Sequence, residues 1–107
     1  DAKNLANYLK NIKVPKYAIW AMMKNKEHGQ FIKQFKGIFK KIITIPIDNE
    51  KNSMSAKDLK VIAKKNGFNV DKANNFNEAI RKITSSDRKL ISCIGSLYNI
   101  GNILSKN

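Results

Sequence analysis

Short runs of apolar residues alternate with amphipathic helical patterns along this chain, and this alternation restricts the fold more than any other feature. Three such runs are bounded by polar or proline-containing stretches, namely Tyr17–Met22, Lys41–Ile47 and Leu90–Ile94. Runs of this length without polar alternation are typical of strands buried on both faces. Strands separated by helical segments form parallel sheets covered by helices. The sequence therefore predicts an α/β fold with a mostly parallel sheet.

The helical segments are predicted from apolar spacing and from capping residues. Asp1 and Ser55 are expected N-caps, Asn74 or Asn75 is expected to cap a further helix, and Gly67 suits the left-handed position after a helix end. Apolar residues at helical spacing also predict a helix through Phe31, Ile32, Phe35, Ile38 and Phe39, and a last helix through Leu97, Ile100 and Leu104. Since the chain starts with a helix, the first strand of the sheet is expected upstream of Asp1. Residues 1–107 are therefore interpreted as the larger part of one domain of a longer protein.

The net charge of +13 is the feature that invites a nucleic-acid function, but the composition argues against it. Of the basic residues 19 are Lys and two are Arg, and Arg is the side chain that makes bidentate contacts to guanine and phosphate. Lys, Asn and Ile together fill 48 of 107 positions, a pattern that A/T-rich codons also produce. No specific nucleic-acid partner is therefore expected.

One cysteine and one histidine exclude a disulfide framework, a Cys-rich zinc module and the usual multi-His metal sites. The apolar runs are too short for a transmembrane helix, and no secretory signal is visible, so the expected location is the cytoplasm without a membrane partner.

Ligands of parallel sheets bind at the carboxyl ends of strands, which here directs attention to the loops Met23–Glu27, Asp48–Met54 and Gly95–Tyr98. Gly95 permits a sharp turn or a close approach to a ligand, and Ser96 is placed to cap the next helix, whose N-terminus would attract an anion. Turn, cap and packing roles explain the same residues without a ligand. Lys26 either reaches a phosphate as a point charge or belongs to a solvated loop.

The remaining chemistry-bearing residues are expected to have structural roles. His28 is interpreted as a surface residue, while Cys93 and Trp20 are expected in the core. Neither G-x-x-x-x-G-K-[ST] nor G-x-G-x-x-G occurs, so the chain is not expected to hold ATP or NAD unaided.

Three stretches together resemble the C-terminal domain of folylpolyglutamate synthase/dihydrofolate synthase, in the Mur ligase superfamily. Residues 18–27 (AIWAMMKNKE) are similar to the strand and "DKD" loop of that family, residues 90–101 (LISCIGSLYNIG) to its final strand and "GSLY" turn, and residues 1–9 (DAKNLANYL) to the helix after its Asp-Gly-Ala-His-Asn segment. The resemblance covers nearly the whole chain and implies the Rossmann-like fold of that domain.

The resemblance also implies a reaction and a set of contacts. The intact protein would be an ATP-dependent, Mg²⁺-assisted ligase that adds L-glutamate to a folate or dihydropteroate carboxylate through an acyl phosphate. ATP and Mg²⁺ would be bound mainly by other domains, above all a central ATPase domain, so this chain alone is expected to be inactive. Lys26 and Ser96 are carried over as nucleotide or glutamate contacts, with Gly95 and Tyr98 as their support; no catalytic residue and no metal ligand is assigned.

The chain departs from the family pattern at several positions. Lys26 is flanked by Asn25 and Glu27 rather than by two aspartates, and Asn52 stands where many members carry Arg. Two alternatives stay open, a Mur-type ligase domain for another amino acid or acceptor and a free-standing basic binding module. The GSLY stretch favours the folate branch over the cell-wall branch.

Overall fold

The computed structural model describes residues 1–83 and 87–96 in full and residues 102–105 by their backbone. The described helices are α1 (Ala2–Lys10), α2 (His28–Lys33), α3 (Ala56–Lys65) and α4 (Phe76–Lys82), and the strands are β1 (Lys16–Ala21), β2 (Lys41–Thr44), β3 (Val70–Lys72), β4 (Lys89–Gly95) and β5 (Asn102–Ser105). None of the helices in these ranges is long and apolar enough to cross a membrane.

The five strands form one sheet in the order β3-β2-β1-β4-β5. β1 lies at the centre and pairs in parallel with β2 and β4, β2 pairs in parallel with β3, and β5 runs antiparallel to β4. The predicted α/β fold with a mostly parallel, helix-covered sheet is thereby confirmed.

The last helix is the main error of the sequence prediction. Residues expected at its C-terminal end form β5, in which Leu104 is paired with Leu90 and Ile103 with Ile91. The spacing of Leu97, Ile100 and Leu104 matches a helix, but β4 offers a free edge whose backbone groups need partners, and β5 supplies them. Leu97, Tyr98 and Ile100 lie outside the described residues.

The capping predictions are correct. The Asp1 carboxylate accepts a hydrogen bond from the Asn4 amide at 2.8 Å, and Asn75 rather than Asn74 caps α4 by accepting from the Glu78 amide at 2.8 Å. Ser55 Oγ accepts from the amide of Asp58 at 3.0 Å at the start of α3. These bonds satisfy amides that a helix leaves without partners in its first turn.

The second helix is shorter than its apolar spacing predicts. α2 ends at Lys33, and the chain continues to Ile38 in turns with backbone bonds such as Ile38 N–H to Phe35 O (3.0 Å). These i to i−3 turns keep a period close to that of a helix, so Phe35, Ile38 and Phe39 are still buried. Gly37 takes a positive φ of 79° within these turns.

Helices cover both faces of the sheet. On one face Leu9 of α1, Ile32 of α2 and Leu59 of α3 pack in one apolar cluster with Trp20 of β1. On the other face Ala79 of α4 belongs to a cluster with residues of β1, β2 and β4, namely Ile19, Ile43 and Ile91. Trp20 and Cys93 are buried, as predicted.

Candidate functional site

The carboxyl ends of β1 and β4 lie side by side, because the two strands are parallel neighbours with Ala21 in register with Gly95. The amide of Ser96 donates to Ala21 O at 2.8 Å, which extends the ladder one residue past β4. Two of the loops singled out from the sequence, those that follow β1 and β4, therefore begin at the same point of the sheet edge.

Gly95 is required by the close packing of this exit. Its φ is +85°, a conformation that side chains other than glycine's rarely adopt. A Cβ built on it would overlap the carbonyl oxygen of Ala21 and would lie 2.8 Å from Trp20 Cδ1. The predicted close approach is thus present, and the group approached is the backbone and indole of β1.

Ser96 has a partner from the opposite end of the chain. Its Oγ accepts a hydrogen bond from the amide of Met23 at 3.2 Å, which links the exit of β4 to the loop after β1. Since this bond uses only a lone pair, the hydroxyl hydrogen remains available to an acceptor. The helix that Ser96 is expected to cap does not reach Leu104, because Leu104 lies in β5, and the expected first turn of that helix lies outside the described residues.

The loop after β1 is tied to the loop after β2 by main-chain bonds. The Met54 amide donates to Met22 O at 2.9 Å, the Lys24 amide donates to Asn52 O at 2.6 Å, and Met23 and Ser53 form an isolated antiparallel bridge. Asn52, which stands at the position where the resembling family often has Arg, thus contributes its carbonyl to the loop. The three predicted loop regions therefore meet at the carboxyl ends of the strands, through Met22, Met23 and Lys24.

His28 is the residue that the sequence prediction missed. It is half-buried at the first position of α2, and its Nε2 lies 2.8 Å from Met23 O. A backbone carbonyl as partner leaves no sequence pattern of the kind that a catalytic triad or a metal site shows. Only its position at the start of the helix that follows β1 indicated that it lies near the loop after that strand.

Lys26 lies at the rim of a groove of about 450 Å³ between the N-terminus of α1 and the start of α2. Its side chain is exposed, and it takes part in neither of the ion pairs found among the described residues. The groove combines an apolar floor with charges of both signs and is lined by, among others, Asp1, Lys3, Met22, Lys26, Glu27 and Phe31. Phe31 stacks on Trp20 with ring centroids 6.1 Å apart, so the groove floor is backed by the core.

Lys26 and Ser96 are thus placed on one structural unit, since Ser96 bonds to Met23 and Lys26 follows three residues later on the same loop. Tyr98, the fourth predicted site residue, lies outside the described residues. Within the described ranges no group of three His, Cys, Asp or Glu side chains lies close enough together to hold a metal ion.

The solved structures that share this fold include synthases from two organisms. One is the folylpolyglutamate synthase of Mycobacterium tuberculosis complexed with ADP, with a TM-score of 0.69 and 15% identity over 76% of this chain and 19% of that chain. The other is the folylpolyglutamate synthetase of Helicobacter pylori, with a TM-score of 0.66 and 17% identity over 91% of this chain and 23% of that chain. The chain has the fold of one part of folylpolyglutamate synthase.

The chain spans about a fifth of the length of these synthases. No family model matches its sequence, and no curated protein matches it either. The expected Rossmann-like fold is confirmed by these structures.

Proposed function

We propose that this chain is the C-terminal domain, over residues 1–107, of an ATP-dependent carboxylate–amine ligase of the folylpolyglutamate synthase/dihydrofolate synthase kind. The intact enzyme transfers the γ-phosphoryl group of ATP to a folate or dihydropteroate carboxylate, which releases ADP. The amino group of L-glutamate then attacks the acyl carbon and displaces phosphate. Lys26 is the main support for this proposal, because its ammonium group joins neither ion pair of the described residues and lines a groove in a fold shared with those synthases.

Charge explains what Lys26 contributes. ATP, L-glutamate and the folates are anions, and an ammonium group at a groove rim attracts a carboxylate or phosphate as a point charge. The loop that carries Lys26 is held by main-chain bonds at Met22 and Lys24, so less conformational freedom is lost when an anion binds. Ser96 offers its hydroxyl hydrogen to the same ligand from the neighbouring strand exit, and Gly95 supports this loop pair.

ATP and Mg²⁺ are held mainly by other domains of the protein, chiefly a central ATPase domain. The absence of a Walker-type phosphate loop from the 107 residues supports this division. The isolated chain is therefore expected to have no ligase activity. The proposed location of the intact enzyme is the cytoplasm.

The test is a ligation assay with the full-length protein, ATP, L-glutamate and either dihydropteroate or a reduced folate, with the product measured by mass spectrometry. We expect Lys26→Ala to raise the KM of ATP or L-glutamate about 10- to 100-fold, the range of a hydrogen bond to a charged group. Ser96→Ala is expected to raise the same KM about 3- to 10-fold, since it removes a neutral donor.

Lys24→Ala is the matched control, because Lys24 is exposed on the same loop, carries the same charge and does not line the groove. Equal KM values for Lys26→Ala and Lys24→Ala would show that the groove is not the anion site. If the wild-type full-length protein catalysed no ligation, the proposed function itself would be contradicted. Ligation of a different amino acid would favour another Mur-type ligase, and specific nucleic-acid binding that persists at physiological salt would favour a basic binding module.

A further inference from the structure

The main chain of Met23 is held on both sides by side chains from two different elements. Ser96 Oγ accepts from its amide at 3.2 Å, and His28 Nε2 lies 2.8 Å from its carbonyl oxygen. A carbonyl oxygen only accepts hydrogen bonds, so Nε2 of His28 carries the hydrogen. The peptide groups on either side of Met23 are thus fixed at the point where the chain leaves β1.

His28 also holds the other end of this loop. Its backbone amide donates to Lys26 O at 3.1 Å, while its ring reaches back to Met23 O. One residue therefore holds the loop at two points, and the main chain of Lys26 is one of them. Because the ring is half-buried and belongs to the first turn of α2, it has little freedom to leave Met23.

We propose that His28 is a positioning residue that holds Lys26 at the groove rim. This inference rests on the proposed function, in which Lys26 contacts an anionic substrate. His28 touches no substrate itself; it acts by restricting the backbone from Met23 to Lys26. An anion that binds to a loop already in place does not have to order it, whereas a loop without this bond must be ordered during binding.

The first test reads the loop directly and does not depend on ligase activity. Trypsin cleaves after lysine, and Lys24 and Lys26 are both exposed, so nicking at these residues of the folded full-length protein measures how often the loop opens. We expect His28→Ala to be nicked about 3- to 10-fold faster, the range of one neutral hydrogen bond, and His28→Gln, which retains an N–H donor, to approach the wild-type rate. Lys33→Ala, on the exposed side of α2, is the control and is expected to leave the nicking at Lys24 and Lys26 unchanged.

Nitrogen NMR of the imidazole gives a second direct readout, and we expect the neutral ring to carry its hydrogen on Nε2. A neutral ring with its hydrogen on Nδ1, or equal nicking rates of His28→Ala and wild type, would overturn the proposal.

The functional test is a double-mutant cycle between His28→Ala and Lys26→Ala, with KM and kcat measured in the full-length enzyme. We expect His28→Ala to raise the KM of the substrate that Lys26 contacts about 3- to 10-fold with little change in kcat, and to have no further effect once Lys26 is replaced. An equal effect in both backgrounds would overturn the positioning role and leave the proposed function intact. Absence of ligation by the wild-type enzyme would overturn the proposed function, and the role of His28 toward these substrates with it.

Discussion

Two lysine-rich regions of this sheet use the same side chain in opposite ways. At the outer edge of the sheet, the carboxylate of Asp71 on β3 lies 3.6 Å from Lys82 of α4 and 3.9 Å from Lys60 of α3. At the exit of β1 the backbone of the loop is fixed, but the ammonium group of Lys26 joins neither of these ion pairs and lines an open groove. The first region uses its charge within the fold, whereas in the second the charge faces an open groove, where we propose that it binds an anion.

Side chains also occupy backbone groups at the free edge of β3. Asp71 Oδ1 accepts from the Lys72 amide at 2.7 Å, and Lys82 Nζ donates to Lys72 O at 2.7 Å. Two backbone groups at the edge of the sheet therefore already have partners, which hinders pairing with another chain. The hydrogen bond from the Lys72 amide, with the lysines around it, lowers the pKa of Asp71. A net charge of +13 cannot distinguish these two uses of lysine; the local geometry does.

The largest effect is expected from breaking the exit region with Gly95→Val. The new side chain would overlap Ala21 O and crowd Trp20 in a backbone conformation that valine resists. We expect the free energy of unfolding to fall by about 2–4 kcal/mol, measured by urea denaturation of the full-length protein. The control is Gly29→Ala, since nothing lies within 4 Å of a Cβ there and α2 favours alanine. Equal stability of the two variants would show that the exit of β4 is not tightly packed.

A smaller effect is expected from Asp71→Asn at the outer edge. Its carboxylate is more than a third exposed, so loss of both ion pairs is expected to lower the free energy of unfolding by about 0.5–1 kcal/mol at low salt and by less at high salt. Because the pKa of Asp71 is lowered in the folded state, its contribution is present above the ordinary value of 3.8 and disappears as the pH falls through the folded pKa. Urea denaturation against pH measures this, with exposed Asp48→Asn as the control. A difference from wild type that persisted at the lowest pH would contradict the ionic origin of the effect.

The smallest effect is expected for the labelling of Cys93 in the wild-type protein. This residue lies on β4, in the sheet that connects the two regions. Burial raises the pKa of its thiol from 9.0 to about 11, so the reactive thiolate is scarce near neutral pH. We expect almost no labelling by a thiol-reactive disulfide at about pH 8 in the folded full-length protein, and complete labelling in urea. The same pKa shift removes stability as the pH rises above 9.0, since the unfolded chain ionises first. Rapid labelling of the folded wild type would mean that β4 opens on its own.

Labelling of Cys93 also distinguishes a change at the exit of β4 from one at the outer strand β3. Gly95→Val is expected to accelerate it, because the exit lies two residues away on the same strand, whereas Asp71→Asn acts three strands away and is expected to leave it unchanged.

Local chemistry made most of the fold predictable. A helix cap depends on residues three positions apart, so Ser55 and Asp58 were sufficient to place the start of α3. Apolar runs placed β1 and β4 within one residue at each end. The helix expected through Leu104 failed because its true state depends on pairing with β4, which no local spacing reveals.

The site was less predictable for the same reason. The sequence indicated which loops meet at the sheet edge and which of their residues carry charge or a hydroxyl. It did not reveal that Ser96 bonds to Met23, 73 positions away, or that His28 bonds to the same residue through a main-chain carbonyl. Partners of this kind are defined only once the chain has folded.

The bonds to Met23 have a consequence for how this protein changes over time. Both are made by its peptide groups, which every residue except proline offers in the same form. Mutations can therefore replace the side chain at this position repeatedly while the path of the loop is inherited unchanged. A loop held by main-chain bonds can keep its path while its sequence diverges, which is consistent with a shared fold at 15–17% identity.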